Sequence, residues 1–252
     1  MEVEHPYSTD TFNALPALGH AHDTFLAQNG PEVINALGAL FVKYKLVNDF
    51  GVALLHRHFA LEESQRLVEV NGTSTPWTVP EDANKSTSAG TGTTVQKYGG
   101  QIRPHLWMFA PATSTDGAKD TAQLTPSEFF FDRSCNESSN PKALDKLKPS
   151  FIQQFAAVLA THNLLGTLGL YLIRPESLSD TMRAEVTEGR ANVTFPHDPA
   201  KTADKGLKFI EAQWQYAQDG EGADGRPIVR AQCKQVCVTS IFVPSGHDNG
   251  CV

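Results

Sequence analysis

The 252-residue chain is 40% hydrophobic and 19% charged, with a formal net charge of −7. That balance is globular rather than disordered, and the acidity argues against nucleic acid or an anionic membrane as partner. The opening MEVEHPYSTD lacks the apolar core of a secretory signal, and no apolar run reaches the length of a membrane span, so the expected compartment is the cytoplasm.

Along the chain, GHAHD comes first, with His20 and His22 two residues apart and Asp23 behind them, in a pattern too irregular to assign. PEVINALGALFVKY then predicts a helix, because Val33, Ile34, Leu37, Leu40, Phe41 and Tyr44 recur at helical spacing behind Pro31. Strands are expected at 49–59 and 66–71. The Ser/Thr/Gly-rich stretch near 72–97 reads as a flexible surface loop. Further strands are expected at 103–110, 126–131, 167–173 and 190–195. Between them PSFIQQFAAVLATHNLLG predicts a second helix, with Phe151, Ile152, Phe155, Val158 and Leu159 on one stripe and Gly166 as its stop. KFIEAQWQY alternates Ile210, Ala212, Trp214 and Tyr216. With IVRAQCKQVCV beyond the turn-rich DGEGADGRP, it reads as a long-looped hairpin. The expectation is a single α+β domain over 1–252, a largely antiparallel sheet with two main helices packed on it.

The sharpest chemical signal is GVALLHRHFALEESQRLVEV, residues 51–70, where two histidines stand one residue apart. On a strand, Phe50, Val52, Leu54, His56 and His58 share one face, and the imidazoles stand about 7 Å apart along the chain. Two same-face imidazoles can converge on a divalent transition metal such as Zn, Fe or Cu. Glu62, Glu63 or Glu69 could then complete a 2-His-1-carboxylate set. Two other readings stay open. The histidines can be hydrogen-bonded members of a core strand, or they can act without metal, with His56, His58 and Glu62 as proton-transfer groups. The order Gly51, His56, His58, Glu62 resembles in part the first metal motif of the cupin family. The glycine spacing is one short, however, the following glycine arrives only at Gly72, and no partner motif lies where a cupin needs it.

The tail QCKQVCVTSIFVPSGHDNGCV spells a second set, Cys233, Cys237, His247 and Cys251, three thiolates and an imidazole that suit a structural zinc. On one extended strand the first two Cα atoms would stand about 13 Å apart, so this site requires a bulge near Gln235 and Val236. A disulfide, or plain small hydrophobes, are the alternatives.

Lesser candidates are His105 on a strand, His162 as a satisfied residue of its helix stripe, and Glu185 and Glu188 in RAEVTEGRA, which are either surface charges or pocket acids and read better as surface charges. Glu128, Asp132 and Arg133 surround the aromatic run of SEFFFDR and read as an internal ion pair or the polar rim of a pocket. GxSxG, HExxH, phosphate-loop and dinucleotide signatures are absent.

The segment with LLHRHF, together with FIQQFAAVLATHNLLGTLGLYLI, EVTEGRANV and the CKQVCV…SGHDNGC tail, resembles a family of short uncharacterised fungal proteins. The resemblance implies a fungal, intracellular protein and a small-molecule role of the kind found near natural-product pathways. It implies no activity and no residue roles. Two readings result: a small-molecule enzyme or binder with its pocket around His56 and His58, metal-dependent or not, and a non-catalytic interaction protein whose tail is clamped by zinc. Whether the chain is an enzyme stays open.

Overall fold

The computed structural model describes residues 7–79, 93–95, 100–109, 123–133, 144–174, 181–198, 207–221 and 227–240. Helices α1 (Thr9–Asn13), α2 (Leu18–Ala27) and α3 (Gly30–Lys43) precede strands β1 (Phe50–Leu54), β2 (Gln65–Val70), β3 (Thr73–Thr78), β4 (Thr93–Val95), β5 (Gly100–Phe109) and β6 (Leu124–Asp132). Helix α4 (Pro149–Thr161) follows, then β7 (Leu168–Leu172), β8 (Arg183–Glu188), β9 (Ala191–Pro196), β10 (Leu207–Glu221) and β11 (Pro227–Ser240).

The strands run in the order β4-β5-β6-β2-β3-β9-β8-β11-β10-β1-β7, and β7 pairs back onto β5. The result is a closed ten-stranded barrel with β4 attached outside the ring. The α+β expectation is therefore corrected: this is a β-barrel with helices laid on one side. Both expected helices exist, as α3 and α4, but they cover a wall rather than define a layer. Closure supplies the physical reason. Two parallel pairings, β2 with β6 and β8 with β11, join hairpins that would otherwise leave open edges, and a ring removes those edges altogether.

Several local expectations also shift. Strands β3 and β4 occupy residues assigned to the 72–97 loop, and residues 80–92 and 96–97 of that loop lie outside the described residues. Strand β8 was not anticipated. Helix α4 stops at Thr161, well before Gly166. Asn163, in the left-handed region at φ 56°, makes the turn that the glycine was expected to make.

Helices α3 and α4 bury Val33, Ile34, Leu37, Phe41, Phe151, Ile152, Phe155 and Leu159 and expose their opposite sides, so they lie on the outside of the barrel. Beneath them stand Phe50, Val52 and Leu54 of β1, Leu168, Leu170 and Leu172 of β7, and Trp214 and Tyr216 of β10. Phe41 is fully buried and meets Phe151 edge-on at 5.3 Å and Tyr216 at 4.7 Å between ring centres. Alternation turns Ala53, Leu55 and Tyr171 the other way, into the barrel, where Phe12 and Leu15 from the α1 region pack among them. Gly51 is required here. A Cβ on it would sit 2.4 Å from the Trp214 carbonyl oxygen and 2.4 Å from the Tyr171 ring. Among the described residues, no helix is long and apolar enough to cross a membrane.

Candidate metal centre

Strand β1 ends at Leu54, so His56 and His58 follow it rather than ride on it as the 49–59 strand predicted. The extended path continues because the α1–α2 linker takes over as neighbour. Arg57 N–H donates to the Pro16 carbonyl at 2.9 Å, and Arg57 Nε donates to the Leu15 carbonyl at 3.0 Å. Arg57 is thereby drawn one way and the two imidazoles turn together, with ring centres 4.6 Å apart.

On the far wall, the parallel ladder sets Cys237 of β11 directly beside Glu185 of β8. Their neighbours Ala184, Val236 and Val238 form a separate apolar cluster, so alternation points Glu185 and Cys237 inward. The four side chains converge: one ligand atom from each of His56, His58, Glu185 and Cys237 lies within 4.8 Å of every other. His56 Nε2 is 3.0 Å from His58 Nε2 and 3.4 Å from Cys237 Sγ. Glu185 Oε1 is 2.7 Å from His58 Nε2 and 3.6 Å from Cys237 Sγ. Ordinary zinc bond lengths in a tetrahedron give edges of roughly 3.3 Å between nitrogens and about 3.6 Å from nitrogen or oxygen to sulfur. The two sulfur distances match that figure. The two imidazole distances are shorter and correspond to hydrogen bonds.

The protons follow from the partners. His56 Nδ1 lies 2.8 Å from the Leu54 carbonyl, which can only accept, so Nδ1 carries the hydrogen and Nε2 keeps its lone pair for the cluster. This is the orientation in which a backbone carbonyl typically holds a metal-binding imidazole. His58 Nε2–H donates to Glu185. Burial would raise the Glu185 carboxyl. The His58 hydrogen bond, the electrostatic pull of the His58 and His56 imidazoles and the Cys237 thiol together outweigh it and hold the carboxyl below its usual range. Cys237 is fully buried, and burial, with the Glu185 charge beside it, pushes its thiol well above the ordinary value. A divalent cation removes that obstacle by taking the thiolate directly. Gln235 closes the shell by donating Nε2–H to Glu185 Oε2 at 3.2 Å.

A small cavity of about 30 Å³ adjoins the cluster through Gln235. His105, Tyr171, Arg174, Arg183, Gln213 and Gln215 are among its lining residues. Gln213 and Gln215 face it while Trp214 and Tyr216 pack under the helices, an inside–outside division along β10. Behind the cavity Arg174 pairs with Glu69, and His105 Nε2 stands 3.9 Å from Glu128. Burial, reinforced by the charges of Glu185 and Glu69 and opposed by Arg174, pushes Glu128 up to about 8, while burial and Arg174 press His105 well below its ordinary value.

The sequence brought His56 and His58 forward, and the structure brings them together. The carboxylates proposed beside them lie elsewhere. Glu62 is largely exposed and accepts from Arg190 Nη1 at 2.9 Å, and Glu63 is exposed as well. The chain turns away after His58, through Ser64 at φ 64°, so neither joins the cluster. Glu69 is taken by Arg174. The carboxylate that does converge is Glu185, which had read as a surface charge because β8 was not recognised as a strand.

The tail set divides. Cys237 belongs to the histidine cluster, and Cys233 donates its thiol hydrogen to the Gln235 carbonyl at 3.4 Å, while His247 and Cys251 lie outside the described residues. A register shift does occur near Gln235, where a bulge was required, but it serves the barrel wall. His20 and His22 fall two apart on helix α2 and so point to different sides, and His162 caps α4 half-buried. Asp132 pairs with Arg103 at 3.1 Å, a different internal partner from Arg133.

No protein-family model, no curated protein and no solved structure matches this chain.

Proposed function

We propose that the chain is a metal-dependent small-molecule enzyme or binder whose metal is held inside the barrel by His56, His58, Glu185 and Cys237. One observation carries the reading: four donor atoms from three separate stretches of chain lie within 4.8 Å of one another, around a thiol that burial disfavours as a free thiolate. Two nitrogens, a sulfur and a carboxylate oxygen are a donor set that fits zinc, which takes such ligands in a tetrahedron, best among the divalent metals. Zinc expands to five-coordinate during reaction, so four protein ligands still admit one atom of a bound molecule from the adjoining cavity. The fungal resemblance, with its expected small-molecule role, points the same way.

Elemental analysis of purified full-length protein is expected to give one zinc per chain. Cobalt substitution is expected to add visible absorption with a thiolate charge-transfer band that disappears in Cys237→Ser. Protein that neither retains nor binds a metal, with cobalt spectra identical in wild type and Cys237→Ser, overturns the assignment.

The second reading makes the same metal structural, a clasp that ties the chain after β1 to β8 and β11. The small cavity that meets the cluster at Gln235 favours the first, because a clasp needs no adjoining space.

A further inference from the structure

The ladder that places Cys237 beside Glu185 also places Gln235 beside Arg183, one step along the same inward faces. Arg183 therefore stands two residues from the Glu185 ligand, about 7 Å away along the strand. Lys234, at the β11 register shift, lines the same cavity. Both cations are half-buried, and among the described residues neither has an ion-pair or hydrogen-bond partner. Half-buried cationic side chains keep their charged heads at the edge of water, and these two are left open to an anion because the described residues supply none.

The other charges around the cavity do not supply one. Glu69 is neutralised by Arg174. A divalent metal would be neutralised by the Cys237 thiolate and the Glu185 carboxylate. Arg183 and Lys234 then leave the cavity positive. A second observation points to an occupant. His105 is 7% exposed and lines the cavity, yet its Nε2 has no hydrogen-bond partner, although buried polar atoms are ordinarily satisfied. Size decides the kind of anion. A space of about 30 Å³ takes roughly two water-sized groups, which suits the two oxygens of a carboxylate better than a phosphate.

We infer that the cavity seats the carboxylate of a short organic acid, gripped by Arg183 and Lys234, whose other end carries an oxygen donor that reaches the metal. This rests on the metal reading above. The guanidinium of Arg183 supplies the planar pair of donors that a carboxylate accepts. The spacing of about one strand repeat between Arg183 and Glu185 selects acids in which two to four carbons separate the two ends.

The test uses full-length protein, zinc-loaded and chelator-stripped, titrated calorimetrically with succinate, malate, glutarate and adipate, and with succinamide as the uncharged control. The expected result is binding of at least one acid to zinc-loaded protein, no binding of succinamide, and at least tenfold weaker binding in Arg183→Gln and in Lys234→Gln with zinc content unchanged. The unchanged zinc content serves as the check that both variants are folded. Equal binding by wild type and both variants overturns the inference, as does zinc-loaded protein that binds none of the acids. In either case one zinc per chain leaves the metal reading standing. Binding that depends on Arg183 yet is the same with and without zinc keeps the carboxylate seat and removes the metal from it.

Discussion

His58→Ala is the most informative single change, because His58 is both a proposed ligand and the partner of a buried carboxylate. Its Nε2 lies 2.7 Å from Glu185 Oε1, with side-chain exposures of 4% and 12%. Removing one member of a buried pair costs about 3–5 kcal/mol, since the other is left charged and unpaired. Glu185 keeps the Gln235 amide at 3.2 Å, which places the expected loss near the lower end, about 3 kcal/mol in metal-free protein. Changing Glu185→Gln in the same background removes the stranded charge and is expected to recover about 2 kcal/mol. Zinc adds a second readout. At a hundredfold excess over Kd it stabilises wild type by about 2.7 kcal/mol, roughly 5–10 °C in Tm for a chain of this size, and His58→Ala is expected to lose most of that response. Urea unfolding in chelator and thermal unfolding with and without zinc measure both. If His58→Ala costs no more than about 0.5 kcal/mol, as a surface change would, or keeps the full zinc shift, the buried cluster described above is wrong.

Glu128→Gln is expected to stabilise the metal-free protein in a pH-dependent way. A carboxyl held at about 8 in the fold, against 4.5 for the free side chain, binds its proton more tightly when folded, so wild-type stability falls as pH rises from about 4.5 to about 8. The substitution should gain about 2–4 kcal/mol at pH 8.5 and nothing near pH 4, and parallel pH–stability curves for the two proteins would refute this. Gly51→Ala forces a Cβ to 2.4 Å from the Trp214 carbonyl and should cost about 3 kcal/mol, whereas Gly166→Ala, with nothing within 4 Å, should stay within about 1 kcal/mol; equal midpoints in denaturant would contradict the packing of β1 against β10. Phe41→Ala, at the meeting point of α3, α4 and Tyr216, should lose about 3–5 kcal/mol in the same assay. A loss under 1 kcal/mol would mean that the helices do not pack on that wall.

Much of the secondary structure was legible because it depends on short-range periodicity. The apolar stripes of α3 and α4 and the alternation in β1, β7 and β10 follow from how side chains project from each kind of backbone. The His-x-His pair was legible for the same reason, and its convergence needed only a locally extended chain. Strand β3 was lost in a Ser/Thr-rich stretch. Strand β8 was lost because RAEVTE carries as much charge as apolar character. Glu185 was misplaced along with it. An inward-facing glutamate on an unrecognised strand looks like any surface glutamate.

By itself, then, the sequence determined helices α3 and α4, most of the strands and the pairing of two imidazoles, since each is settled within a few residues of backbone; α1 and α2 were not legible in it. Only the tertiary structure decided that the sheet closes into a barrel, that Glu185 rather than Glu62 or Glu63 faces the histidines, and that Cys237 joins them instead of the tail. Those choices turn on contacts between residues 52 and 181 positions apart. Chain entropy gives such contacts no local signature, and they form only when the parallel β8–β11 ladder and the ring of strands fix the register.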